Sequence, residues 1–186
     1  LQNILLGAGA GQTIASGVGN IAIGDASLPN AFGGESENIA IGRFAMNNAF
    51  EVDHNIGIGT FALNNLGTAT GSIAIGFRAG DNLTGGDSNI IIGYNVDAPN
   101  SSADGQLNIG NLLFGTGIDG TGTTLSSGNI GIGTSSPSSK LTVAGSLRAT
   151  GTIRFDALAS PAGDALVLAD ASGELSTTST STLGLG

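Results

Sequence analysis

A pentad, Asn-Ile-Ala-Ile-Gly in its commonest form, returns about every seventeen residues along this chain. Copies begin at Asn3, Asn20, Asn38, Asn55, Ser72 and Asn89, so every step is seventeen except the second, which is eighteen. A degenerate copy, Asn108 to Leu112, follows nineteen positions on, and a clean one, Asn129 to Gly133, another twenty-one beyond that. A second signal keeps step with the first. Six residues beyond the pentad glycines stand Asn30, Asn48, Asn65 and Asn82, and three residues beyond them stand Ser27, Ala45, Ala62 and Ala79. Self-similarity of this length marks a stacked architecture in which each repeat buries its apolar face only against its neighbours.

Within the pentad two β-branched residues lie two apart, the spacing that puts them on one face of a strand. The pairs Ile21/Ile23, Ile39/Ile41, Ile56/Ile58, Ile73/Ile75, Ile90/Ile92 and Ile130/Ile132 are therefore expected to form the buried rows. The residue between them is mostly Ala or Gly, which leaves the other face bare enough for a second backbone or subunit to approach. Asn20, Asn38, Asn55 and Asn89 before the strand, and Gly24, Gly42, Gly59, Gly76 and Gly93 after it, mark the corners, because both residue types tolerate positive φ. Stacked Asn side chains also hydrogen-bond along the axis of such an array. The expected fold is all-β: a solenoid of seventeen-residue coils, each with two short strands joined by turns. A helical reading fails, since Gly and Asn recur too often and the apolar spacing is two.

Composition agrees. The chain has 186 residues, of which 33 are Gly, against a usual share of about 7%. Aromatics are only 4% and Trp is absent, so a globular core of large side chains is not expected. Five Lys and Arg against fourteen Asp and Glu give a net charge of −9, which argues against a nucleic-acid partner. There is no Cys, hence no disulfide framework or thiolate metal site. The apolar runs are far shorter than the ~20 residues a membrane-spanning helix needs. A coil this small encloses few aliphatic side chains, and low charge with bare faces invites homo-oligomerisation.

After Gly133 the pattern changes. Thr134 to Ser139 is a turn-rich break, and Lys140 to Arg148 reads as a strand-bearing segment with Leu141, Val143 and Leu147 apolar. Thr152 to Phe155 and Ala165 to Ala169 are further strand candidates, the latter entering a hairpin turn at Asp170 to Gly173. This divides the chain into an array over residues 1–133, a shaft-like segment over 134–175, and a Ser/Thr/Gly tract over 176–186 that reads as a linker or truncated end. The start at Leu1 rather than Met suggests a processed product or a fragment.

The Asn-Ile-Ala-Ile-Gly repeats resemble the head repeats of trimeric autotransporter adhesins and the repeats of bacteriophage tail fibres, with a longer period than the usual adhesin coil. The segment Gly128 to Arg148 is similar to the shaft of phage tail-fibre proteins, where it often precedes a self-cleaving chaperone domain; no chaperone catalytic motif is present here. The resemblance spans roughly residues 1 to 150. It implies a left-handed parallel β-roll, a homotrimeric extracellular fibre of a virion tail or cell surface, and attachment to a host or surface glycan or receptor. A self-assembling filament subunit is the alternative, and a polysaccharide depolymerase a more distant one.

No motif points to catalysis, a cofactor or a bound metal. His54 is the single histidine and lacks triad partners. Gly115 to Gly120 satisfies a G-x-G-x-x-G pattern, but no helix-forming stretch follows it. The acidic turns Asp81 to Asp87 and Asp97 to Asp104 match no calcium loop, and the pairs Glu35/Glu37 and Glu51/Asp53 read as solubilising corner charges rather than glycosidase carboxylates. Phe32, Phe50, Phe61 and Phe77 recur beside the pentads and suit packing better than stacking on sugars.

Overall fold

The structure, a computed structural model, describes residues 2–14, 16–29, 34 and 36–151, together with the backbone pairing of strands at 165–169 and 175–179. Two units are distinguished, Leu1–Ser146 and Leu147–Gly186. The first is a parallel β-solenoid of about six turns. Each coil contributes a single three-residue strand: β1 (Ile4–Leu6), β2 (Ile21–Ile23), β3 (Ile39–Ile41), β4 (Ile56–Ile58), β5 (Ile73–Ile75), β6 (Ile90–Ile92) and β7 (Leu107–Ile109). All seven pair in parallel with their neighbours and without slippage, Ile21 opposite Ile39, Ile39 opposite Ile56 and so on. The sheet then changes direction. β8 (Leu113–Gly115) runs antiparallel between β7 and β9 (Ile130–Ile132), and β10 (Leu141–Val143) pairs in parallel with β9.

The coil has one strand, not two. Besides the pentad glycine, three positions in each of the first five coils take positive φ: those two and four beyond the pentad glycine (Phe44 and Met46, Phe61 and Leu63) and the residue before the next pentad (Glu37, His54, Ser88). In the first coil all three are glycines, Gly9, Gly11 and Gly19. Alternating left-handed residues break the pleat, so the far side of the coil is held by isolated inter-coil hydrogen bonds, such as Leu28 N–H to Ala45 O and Met46 N–H to Ala62 O.

The interior corrects the expected burial. Within strands β2 to β7 and β9 the middle residue is buried and its two neighbours are not: Ala22, Ala40 and Ala74 are fully buried while the flanking Ile side chains are part-exposed or exposed. The same holds where the middle residue is Gly57, Ile91 or Gly131, so Ile56, Ile58, Ile90, Ile92, Ile130 and Ile132 also lie outside the core. A spacing of two puts both Ile on one face but leaves open which face; size decides. The coil is narrow, and Leu28, Met46, Leu63, Leu66 and Leu83, all fully buried, already fill it from the far side. A small residue fits opposite them best, so the Ile pairs point out and the bare face is the inner one.

The pentad Asn does not supply the corner's positive φ. Instead Asn20, Asn38, Asn55 and Asn89 are fully buried and form a ladder along the stack. Asn38 N–H donates to Asn20 Oδ1 (3.0 Å), Asn55 N–H to Asn38 Oδ1 (3.0 Å), and Ser72 N–H to Asn55 Oδ1 (2.8 Å). Each ladder amide also reaches back across its coil, Asn38 Nδ2 to Val52 O (2.8 Å) and Asn55 Nδ2 to Ala69 O (2.9 Å). The corner glycines do need their conformation: Gly24, Gly42, Gly59, Gly76 and Gly93 have φ between 131° and 139°. They stack so closely that a Cβ on Gly42 would lie 2.6 Å from Gly59 O.

The seventh rung begins at Gln106, not Asn108. Gln106 N–H donates to Asn89 Oδ1 (2.9 Å), continuing the ladder at the same step of seventeen, and Asn108 takes the inward position that Ala holds in earlier coils. There Asn108 Nδ2 donates to Asp97 O and to Asn111 Oδ1, a polar end to the apolar interior next to the antiparallel β8.

In the second unit β11 (Ala165–Ala169) and β12 (Leu175–Ser179) form an antiparallel pair. The expected strand at Thr152 to Phe155 and the turn at Asp170 to Gly173 lie outside the described residues.

Candidate interaction face

Turning the Ile pairs outward produces the most distinctive surface of the solenoid. Two aliphatic columns run up one sheet, Ile21, Ile39, Ile56, Ile73, Ile90 and Leu107 in the first and Ile23, Ile41, Ile58, Ile75, Ile92 and Ile109 in the second, in unbroken register. Ile75 and Ile109 are 39% and 37% exposed, and Ile132 further along the sheet is 38% exposed. Successive rungs are ~4.8 Å apart in a parallel ladder, so five steps from β2 to β7 make a stripe roughly 24 Å long. A contiguous apolar stripe of this kind marks an interaction surface, unlike scattered single residues.

The two borders of the face differ. Beyond the corner glycines runs an aromatic column. Phe44 and Phe61 are stacked with centroids 5.1 Å apart, Phe61 and Phe77 meet edge-to-face at 6.5 Å, and Phe77 stacks on Tyr94 at 5.1 Å. Arg43 lies over the Phe44 ring at 4.4 Å and is paired with Asp25; Arg78 lies 5.8 Å from the Phe61 ring and is paired with Asp81. Of the aromatics singled out in sequence, Phe61 and Phe77 join this column, Phe50 stands apart and half-exposed, and Phe32 lies outside the described residues. Phe44 and Tyr94 were missed; their signal was a position one or two residues beyond a pentad glycine.

The border before the strands is acidic. Glu37 Oε2 and His54 Nε2 are 3.0 Å apart. Just behind them carboxylates form a second ladder: Ser36 N–H donates to Asp53 Oδ1 (2.7 Å), Thr70 N–H to Asp87 Oδ1 (2.8 Å), and Asp87 N–H to Asp104 Oδ1 (2.8 Å). These side chains are thus acceptors for the backbone of the preceding coil. Glu35 lies outside the described residues.

Two open clefts lie near the direction change. One, of about 490 Å³, is lined by Ile118, Leu125, Asn129 and Lys140, whose Nζ donates to Ser127 O and to Gly128 O. The other, of about 240 Å³, lies between Asp87, Asp104 and Asp119. Among the described residues no group of three or more His, Cys, Asp or Glu side chains is placed to hold a metal ion, and no helix is long and apolar enough to cross a membrane. Asp119 accepts hydrogen bonds from the Ser127 hydroxyl and N–H, which hold its carboxyl below the usual range. The residues 115–120 form the end of β8 and the loop after it, so the glycine pattern there opens no helix.

No protein-family model matches the chain, and neither a curated protein nor a solved structure shows similarity to it.

Proposed function

We propose that this chain is a structural and adhesive segment of an extracellular homotrimeric fibre, of the phage tail-fibre type, that holds its surface-binding parts at a distance from their anchor. The observation that carries this reading is the double aliphatic column: an apolar stripe in register over six rungs, part-exposed in the single chain, is the surface expected of a face that packs against copies of itself. The parallel solenoid fits a spacer role, since length is added one coil at a time. The acidic side chains support a non-enzymatic reading, because Asp53, Asp87 and Asp104 are engaged as acceptors in the ladder. The ligand of such a fibre is a host-surface glycan or receptor.

Light scattering on the purified chain tests this. A mass three times that of the 18.1 kDa chain is expected, and Ile58→Lys with Ile75→Lys should reduce it to monomer while circular dichroism still reports β-structure. A wild-type monomer at tens of micromolar would overturn the reading.

A further inference from the structure

The aromatic column ends differently from the way it is built. In the coils below Tyr94, the carbonyl one residue beyond the pentad glycine accepts an N–H from the next coil: Arg43 O from Phe61, Thr60 O from Arg78, and Phe77 O from Asn95. Tyr94 O is the next acceptor of that series, and no N–H among the described residues reaches it. The cause is the change of direction. After Gly110 the chain closes a tight turn, with Leu112 N–H donating to Ile109 O, and enters β8 instead of rounding the corner. Asn111 stands one residue beyond Gly110, as Tyr94 stands one beyond Gly93, but it is drawn inward. Its N–H donates to Asn108 Oδ1 (3.0 Å), and its Oδ1 accepts from Asn108 Nδ2 (2.9 Å). The Tyr94 ring therefore rests on Phe77 by one face and is open on the other, at 78% exposure against 38% for Phe77.

We propose that Tyr94 is a platform for a neutral pyranose, its open ring face taking the C–H face of the sugar and its main-chain carbonyl accepting one of the sugar hydroxyls. This rests on the surface-attachment part of the reading above and not on self-association. The face of an aromatic ring is the negative side of its quadrupole and attracts weakly positive C–H groups. A gluco-configured pyranose, with its hydroxyls equatorial, turns such groups to both sides of its ring. A purely apolar partner laid on Tyr94 would bury the carbonyl without a donor, at the cost of an unmade hydrogen bond. A sugar brings the apolar face and the donor together. Charge narrows the class further. At a net charge of −9 the chain repels glycans that carry carboxylates. A cationic ligand fits less well than a neutral one. The two cations on this column are each held by a carboxylate, Arg43 by Asp25 and Arg78 by Asp81, whereas Asp97, the acidic residue nearest to Tyr94 along the chain, is hydrogen-bonded to Asp81.

Tyr94 is the only tyrosine of the chain and Trp is absent, so tyrosine emission reports on this ring alone. Cellopentaose, a neutral chain of gluco-configured units, is expected to change that emission saturably, with a dissociation constant on the order of 1 mM, the scale of so small a contact. In saturation-transfer NMR the wild-type protein should pass magnetisation to the C–H protons of the sugar. Tyr94→Ala should abolish the transfer and Tyr94→Phe should keep it, while circular dichroism shows both variants folded. Equal transfer in wild type and Tyr94→Ala overturns the platform. So does an emission unchanged at about 10 mM cellopentaose, or one that responds more strongly to L-argininamide. Sugar binding by a protein that light scattering shows to be monomeric leaves the platform standing and overturns self-association. An oligomer that ignores the sugar does the reverse.

Discussion

Gly57 lies directly against Met46: a Cβ built on Gly57 would come 3.0 Å from Met46 Cγ and 3.3 Å from Ala62 O. Neighbouring coils trade volume in this way, the long, unbranched corner side chain of Met46 being met by the smallest inward residue. Where the corner residue is instead Gly80, packed against Leu63 and Leu83, the inward residue of the next coil is the large Ile91. Gly57→Ala is therefore expected to lower stability by about 1–2 kcal/mol through overpacking, and Met46→Ala in the same chain to relieve that clash. Non-additivity in a double-mutant cycle of urea midpoints checks the pairing.

Breaking the buried amide ladder should cost more. Asn55→Ala removes the acceptor of Ser72 N–H and the donor to Ala69 O, leaving both buried, with an expected loss of about 1–3 kcal/mol. Ser72→Asn, at the one pentad of the array that lacks the amide, should stabilise or be neutral. Thermal unfolding followed by far-ultraviolet circular dichroism separates the two.

Left-handed corners hold a different reserve. Ser88 has φ 58° and is surface-exposed, so Ser88→Gly should raise stability by up to about 1 kcal/mol, as the equivalent corners Gly19, Gly71 and Gly105 already carry glycine. In contrast Gly59→Ala, whose Cβ would meet the Gly76 carbonyl, should prevent the array from closing at that rung. Limited proteolysis of the two variants gives opposite shifts.

Acidity should help the fold at one place. Partial burial, then the adjacent Asp81 carboxylate hydrogen-bonded to it, push the Asp97 carboxyl above its usual range, with Arg78 opposing more weakly. A raised folded-state value means the contribution to stability is present below the unfolded-state value and is lost as pH rises through the folded one. Asp97→Asn should therefore stabilise the protein at neutral pH, and the gain should vanish as the pH falls below the carboxylate range. Melting temperatures of both proteins across that range test the sign.

The pentad made the parallel strands, their register and the Asn ladder legible, because each follows from residue spacing and from hydrogen-bonding capacity. It did not reveal that Ile21/Ile23 and their counterparts face outward, since periodicity assigns residues to a face without saying which face is inside; that depended on Leu28, Met46 and Leu63 filling the coil from the opposite side. Nor was the seventh rung legible. Asn108-Ile109-Gly110 imitates the start of a pentad, whereas the true partner of Asn89 is Gln106, whose longer amide serves the ladder equally well. A second strand was expected in each coil; instead Phe44, Met46 and their equivalents adopt left-handed φ, a conformation rarely assigned to large side chains from sequence.

The near-uniform step of seventeen makes the array a ruler that can be recut. A seventeen-residue cassette copied from Asn55 to Gly71 and spliced in before Ser72 presents the same amide, the same glycine and the same corners to both neighbours, and should lengthen the stack by one strand spacing, ~4.8 Å, without disturbing either end. Reach is then a matter of gene length alone, while the antiparallel β8 and Asn108 keep the far terminus constant.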